Sequence, residues 1–210
     1  MAARQPQITR EQILQAAFQA VYGNGLSGAS LETILARTGV TKGALYHHFE
    51  CKQALGCALV DEVLAPRVRA AWIGPLAGAR DPIDKLQRLL RSVAEEPAAE
   101  LLRFGCPLNN LAQEVSAQDE QLRGRLEAVF RDWVEGLRQA LARGQDAGTV
   151  RSSVDAGRAA VFVVGAIEGA MSMGKATRDV EVLRHALEEL AAYLESLRPA
   201  RPPARPSRRR

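Results

Sequence analysis

Residues 38–52, TGVTKGALYHHFECK, decide how the rest of this chain is read. Gly39 permits the left-handed backbone that ends one helix, and the Thr41 hydroxyl caps the next. The short helix predicted from about Thr41 to His48 is held from below by Leu45 and Phe49. Lys42, Tyr46 and His47 offer hydrogen-bond donors and positive charge on the other side. An apolar underside with a cationic outer face suits the major groove of duplex DNA. Gly43 leaves the outer turn without a side chain, so the backbone can approach closely. Thr41 and the free N–H groups at the helix start suit a phosphate. Tyr46 and His47, one turn on, reach phosphate or base edges. Lys52 stands near the flanking DNA backbone, and Thr33 and Arg37 on the preceding helix are placed for the opposite phosphate run.

Upstream, Thr9 with Gln12 forms a capping box, and Ile13, Leu14, Ala17, Phe18 and Val21 make one apolar stripe. Gly23 and Gly25 are expected to stop this helix. Ser30 caps a second helix with Leu31, Ile34 and Leu35 turned inward. Residues 1–52 therefore read as a three-helix helix-turn-helix unit. A fourth helix, about Lys52 to Ala65, connects it to a helical body over 53–197, with Pro66 ending or bending it. In the body, helices are predicted from Asp81-Pro82 to about Ala94, briefly after Pro97, from Cys106-Pro107 to about Ser116, from Asp119 to Arg143, from Asp155 to Lys175, and from Asp179 to Leu197. Residues 198–210, RPARPPARPSRRR, read as a disordered Arg/Pro-rich tail.

Composition agrees with an all-α chain: Ala, Leu, Arg, Glu and Gln dominate, no β-rich run stands out, and 47% of residues are hydrophobic. The net charge is +4, and the six arginines of the tail more than account for it. The remainder is slightly acidic, so any DNA contact comes from a local patch. Cys51, Cys57 and Cys106 form no disulfide framework, which fits a reducing cytoplasm. No signal peptide is expected, and the apolar run Ala159–Ile167 is too short to span a bilayer, so no membrane partner is expected. His47, His48 and Cys51 lack further ligands for a metal. With no nucleophile–base pair, metal cluster or phosphate loop, neither enzyme nor cofactor is expected.

Residues 9–55, from TREQILQAAFQAVYGNG through TGVTKGALYHHFECKQAL, resemble the N-terminal domain of TetR-family transcriptional regulators. The resemblance implies a ligand-responsive repressor that binds a two-fold double-stranded operator as a homodimer. Cys51 departs from the Ser, Asp or Asn usual at that cap. In the last helix Val180, Leu183, Leu187, Leu190, Leu194 and Leu197 form a seam, and Gly165 and Gly169 in the preceding helix permit close approach. The two helices are expected to form half of a four-helix bundle completed by a second copy; an intramolecular core is the alternative.

Glu168 is the one charge between Ala159 and Met173. Once buried, it faces a ligand cavity, pairs with Lys175 or Arg178, or sits at an interface rim. Phe104, Phe130, Trp133 and Phe162 are candidate pocket walls, with ordinary core as the alternative. Cys106, before Pro107 at a helix start, feels the positive end of the dipole, which lowers a thiol pKa. FGCPLNNLAQEVS and EGAMSMGKATRD are similar to a TetR subgroup that senses reactive electrophiles or oxidants. That resemblance implies Cys106 as the sensor with Lys175 close by. The alternatives are a structural cysteine filling a helix junction, and release by a noncovalent apolar small molecule.

Overall fold

Apolar residues spaced three and four apart build helix after helix, and every regular element among the described residues is helical. The structure, a computed structural model, describes residues 10–95 and 99–200. The expected start at Thr9, the short segment opening at Pro97 and most of the tail fall outside those residues. The head comprises α1 (Arg10–Gly28), α2 (Leu31–Thr38) and α3 (Lys42–His48). Ile13, Leu14, Ala17, Phe18, Ile34, Leu45 and Phe49 are buried in its core.

The caps behave as their residue types require. Ser30 accepts from the Thr33 N–H at 3.1 Å and Thr41 from the Ala44 N–H at 3.2 Å. Gly39, at φ 67°, closes α2 by donating its N–H to the Leu35 carbonyl at 2.8 Å. The Cys51 sulfur accepts from the Ala54 N–H at 3.4 Å, so the unusual cap is used. The glycine stop expected at Gly23 and Gly25 falls at Gly25, where φ is 75° and ψ 167°, and a short helical continuation carries α1 to Gly28.

Pro66 does not end the connecting helix. α4 (Lys52–Leu59) passes into a wide π turn (Val60–Leu64), α5 (Ala65–Val68), a second π turn (Arg69–Ile73) and a 3₁₀ turn (Gly74–Leu76). The ring of an interior proline clashes with the carbonyl one turn back; a π turn just upstream widens the backbone at that place. A nearly continuous rod thus leaves the head and enters the body.

The body packs α6 (Pro82–Glu95), α7 (Ala99–Phe104), α8 (Pro107–Val115), α9 (Glu120–Asp146), α10 (Ala156–Thr177) and α11 (Val180–Ser196). Trp72 of the rod stacks on Trp133 of α9 at 5.4 Å. A Cβ on Gly136 would lie 2.7 Å from Ile73 Cγ2, so α9 sits hard against the rod. Asp81 and Asp119 cap α6 and α9 at 3.0 Å each. Arg198, assigned to the tail, is anchored instead, 2.6 Å from Asp81 and 2.9 Å from Glu195.

The leucine seam of α11 is consumed within one chain. Leu183, Leu187, Leu190, Leu194 and Leu197 are buried, and α11 packs against α6 and α10. The alternative reading of an intramolecular core is correct for this stripe. The apolar run of 159–167 is the centre of α10, the one described helix long and apolar enough to cross a bilayer, and half of that window is buried. α10 packs against α9 and α11. Its other face carries Val161, Phe162 and Met173, 59%, 52% and 55% exposed.

Candidate DNA interface and effector site

The buried Leu45 and Phe49 fix the roll of α3, and that roll sends Thr41, Lys42, Gly43, Tyr46 and His47 to the solvent side. The Lys42 ammonium stands 6.0 Å from the Tyr46 ring centroid. A Cβ on Gly43 would meet nothing within 4 Å, and its φ is not positive. Thr33 and Arg37 are exposed on α2. His48 is exposed as well, its ring 5.4 Å from that of His47. Lys52, at the start of α4, donates its ammonium to the Ser27 carbonyl at 3.0 Å and holds the end of α1.

In the body, the α7–α8 turn brings Cys106 against Glu168 of α10. Glu168 is 6% exposed, and neither carboxyl oxygen has a hydrogen-bond partner. Burial raises its pKa to about 7, with the Cys106 thiol pulling slightly the other way. Burial, and then the neighbouring Glu168, push the Cys106 thiol far above its ordinary value. The amides of Asn109 and Leu108 at the start of α8 act in the expected downward direction and are outweighed. The thiol pKa is therefore raised, not lowered as its helix-start position predicts: desolvation of a thiolate exceeds the effect of one helix terminus. Glu168 forms no ion pair with Lys175 or Arg178. Lys175 instead donates to Asn110 Oδ1 at 3.0 Å and packs its stem over Gly105.

The same turn is tied to the head. The Tyr22 hydroxyl donates to the Gly105 carbonyl at 2.7 Å. Its pKa is pushed up to about 12, first by burial, so it stays a donor at any physiological pH. The two carboxylate oxygens of Glu114 on α8 accept the Leu26 and Ser27 N–H groups, each at 2.7 Å, just past the Gly25 break. Gln53 of α4 reaches Asp119 at 2.8 Å. Between α1, α7, α8 and α10 lies a cleft of about 810 Å³.

The helix-turn-helix head and the helical body match two family models in chain order. Residues 13–58 match the model for bacterial regulatory proteins of the tetR family, and residues 82–190 match the tetracyclin repressor-like C-terminal domain. The chain belongs to the TetR family of transcriptional regulators. An HTH-type transcriptional regulator of Lactococcus lactis subsp. lactis is 30% identical over 192 residues, spanning 90% of this chain and 94% of that one. The crystal structure of a TetR regulator from Chloroflexus aurantiacus is 34% identical with a TM-score of 0.77, covering 88% of this chain and 93% of its own. The reduced form of Escherichia coli NemR shares the fold at 24% identity and a TM-score of 0.80, covering 91% and 98%.

Within this TetR-family regulator, the expected DNA-facing residues of α3 come together on one surface. The expected sensor residues divide. Cys106 and Glu168 meet, and Phe104 and Lys175 line the cleft. Trp133 is core, Phe130 is packed against the core, and Phe162 lies outside against Tyr193 at 4.6 Å. Tyr22, Glu114, Asn110 and Arg103 were missed. Their signal is weak in sequence, because each acts on backbone or on a surface that only chain folding brings near.

Proposed function

We propose that this regulator is a repressor that binds a palindromic operator as a homodimer and lets go when a small molecule occupies its body. The observation that carries the reading is the outer face of α3. Neither packing nor backbone conformation calls for glycine at Gly43. Glycine inside a helix costs about 1 kcal/mol relative to alanine, so its use fits a surface that closes on the backbone from outside. Thr33, Arg37, Thr41, Lys42, Tyr46 and His47 are exposed on α2 and α3 with it, and Lys52 at the start of α4 holds the end of α1. The exposed Val161, Phe162 and Met173, with Gly165 and Gly169 open between them, favour a second copy docked on α10. Two heads then meet half-sites about 34 Å apart on one face of cytoplasmic DNA.

A mobility-shift titration with the DNA upstream of its own gene tests this. Lys42→Ala should weaken binding and flatten the log–log salt slope by about 0.9 per phosphate contact, twice that for a dimer. Gly43→Leu should abolish the shift while the helical circular dichroism stays unchanged. An unshifted probe at low salt, or a Lys42→Ala slope equal to that of the wild type, overturns the reading.

For release, the bond from Tyr22 to the α7–α8 turn and the clasp of Glu114 on Leu26 and Ser27 support a body whose occupant moves the head. A ligand that lowers operator affinity tenfold prefers the released form by about 1.4 kcal/mol. The neutral, half-buried thiol favours a noncovalent effector. The position of Cys106 against Glu168 supports a second reading, the sensing of an electrophile or oxidant. Glu168 would take the thiol proton as sulfur bonds to the electrophilic carbon of a quinone or aldehyde, and that proton then passes to the oxygen of the adduct. Quinone titration of the operator complex, followed alongside Cys106 mass, separates the two. Release that survives Cys106→Ser removes the thiol from the mechanism; release that tracks adduct mass removes the noncovalent reading.

A further inference from the structure

We propose that the cleft between head and body is a binding site for an aromatic monoanion, an aryl carboxylate or phenolate. The inference rests on the ligand-responsive reading for its consequence, and on the cleft itself for its chemistry. At about 810 Å³ the cleft has the size of a small-molecule site. One wall is aromatic and drawn from two domains: the half-buried Tyr22 meets Phe104 at 5.2 Å and is backed by the buried Phe18 at 5.5 Å. An aromatic guest extends that wall by offset or edge contacts.

The rim supplies the charge. Arg103, Lys175 and Arg178 all line the cleft, and none has a carboxylate within 4.0 Å among the described residues. Lys175 gives one hydrogen bond to Asn110 Oδ1 and keeps two donors. Arg103 lies over the outer ring, Phe104, at 4.9 Å. The one acid in the lining is Glu114, and both of its oxygens are occupied by the Leu26 and Ser27 amides. The cleft lining therefore sets three cations against one carboxylate whose oxygens are already bonded, a net positive charge beside aromatic rings, which attracts a guest with a flat apolar body and one anionic end. The surroundings add leverage. The Tyr22–Gly105 and Glu114–Leu26/Ser27 links border the cleft, so a guest seated there touches α1 of the head and α7, α8 and α10 of the body together.

The test is calorimetric titration of the full chain with 1-naphthoate, without DNA. One naphthoate per chain is expected, with the uncharged 1-naphthamide about tenfold weaker and 1-naphthylmethylammonium weaker still. Lys175→Gln/Arg178→Gln should weaken naphthoate about tenfold and bring it level with the amide. Arg103→Gln, on a different helix, should do so in part if the double variant misfolds by circular dichroism. Equal binding of acid and amide, no saturable naphthoate binding, or charge-removed variants that bind like the wild type would overturn the site. The ligand-responsive reading is scored separately on the operator complex. Naphthoate that binds as described yet leaves operator affinity unchanged upholds the site and counts against release through it.

Discussion

Glu168 is a buried carboxyl whose two oxygens lack hydrogen-bond partners, on a helix that is otherwise apolar through its centre. Its neutral form is favoured in the fold, with a pKa near 7 against an ordinary 4.5. Between those values the folded chain binds a proton that the unfolded chain has released, so stability falls as pH rises through this window. The loss is complete above about pH 7 and amounts to at most about 3 kcal/mol at 1.36 kcal/mol per pKa unit. Glu168→Gln removes it. Urea unfolding at pH 5 and pH 8, at one protein concentration, should find the variant gaining on the wild type by about 1–3 kcal/mol between the two pH values. An unchanged pH difference would place the carboxyl in a wetter setting than this one. The same titration bears on Cys106: with Glu168 neutral below pH 7, the thiol loses this adjacent carboxylate as a base.

At the junction of α1 and α8 the backbone and a carboxylate depend on one another. Gly25 breaks α1 and leaves the N–H groups of Leu26 and Ser27 open, and Glu114 accepts both. Burial works against the Glu114 charge, but the two amides and Lys52 outweigh it and hold the carboxyl below its usual range. Hydrogen bonds to a charged acceptor contribute about 1.5–3 kcal/mol, and Glu114→Ala should destabilise by roughly that amount. Gly25→Ala strikes the same place twice. Its φ of 75° is unfavourable for alanine, and the new methyl would lie 2.8 Å from Glu114 Oε2. Hydrogen exchange should show both variants loosening residues 26–29 and α8 together, with α9 to α11 unaffected; independent loosening would mean that head and body are not joined here.

For the whole molecule the decisive surface is α10. Gly165 and Gly169 meet no side chain of their own chain, whereas Gly136 and Gly144 are pressed by Ile73, Val150 and Pro82. Alanine at Gly144 should cost about 1–3 kcal/mol through overpacking, since Val150 Cγ2 would be 2.6 Å away. Alanine at Gly169 gains helix propensity in an isolated chain, by about 1 kcal/mol. In the proposed dimer a second copy packed on that stripe would reverse the effect of bulk. Gly169→Leu should therefore leave the thermal stability of the monomer intact, raise the dimer dissociation constant in sedimentation equilibrium at least tenfold, and weaken operator binding in parallel. A dimer as tight as the wild type would move the interface elsewhere.

Local chemistry wrote much of this protein in plain view. Capping residues, glycine breaks and apolar periods of three and four are short-range signals, so the helices, the α2–α3 turn and the outward face of α3 were legible from residues 9–55 and the caps beyond. Long-range placement was not. A leucine stripe looks the same whether it faces a neighbour in its own chain or a second copy, and α6 claims the stripe on α11 because folding brings it there. A proline reads as a stop until the π turns around Pro66 absorb its ring. Cys106 at a helix start reads as an activated thiol until desolvation and Glu168, sixty-two residues away in the chain, reverse the sign. The cleft, its unpaired cations and the Glu114 clasp arise from contacts between distant segments, and pattern along a chain carries no record of which distant groups will share one low-dielectric space.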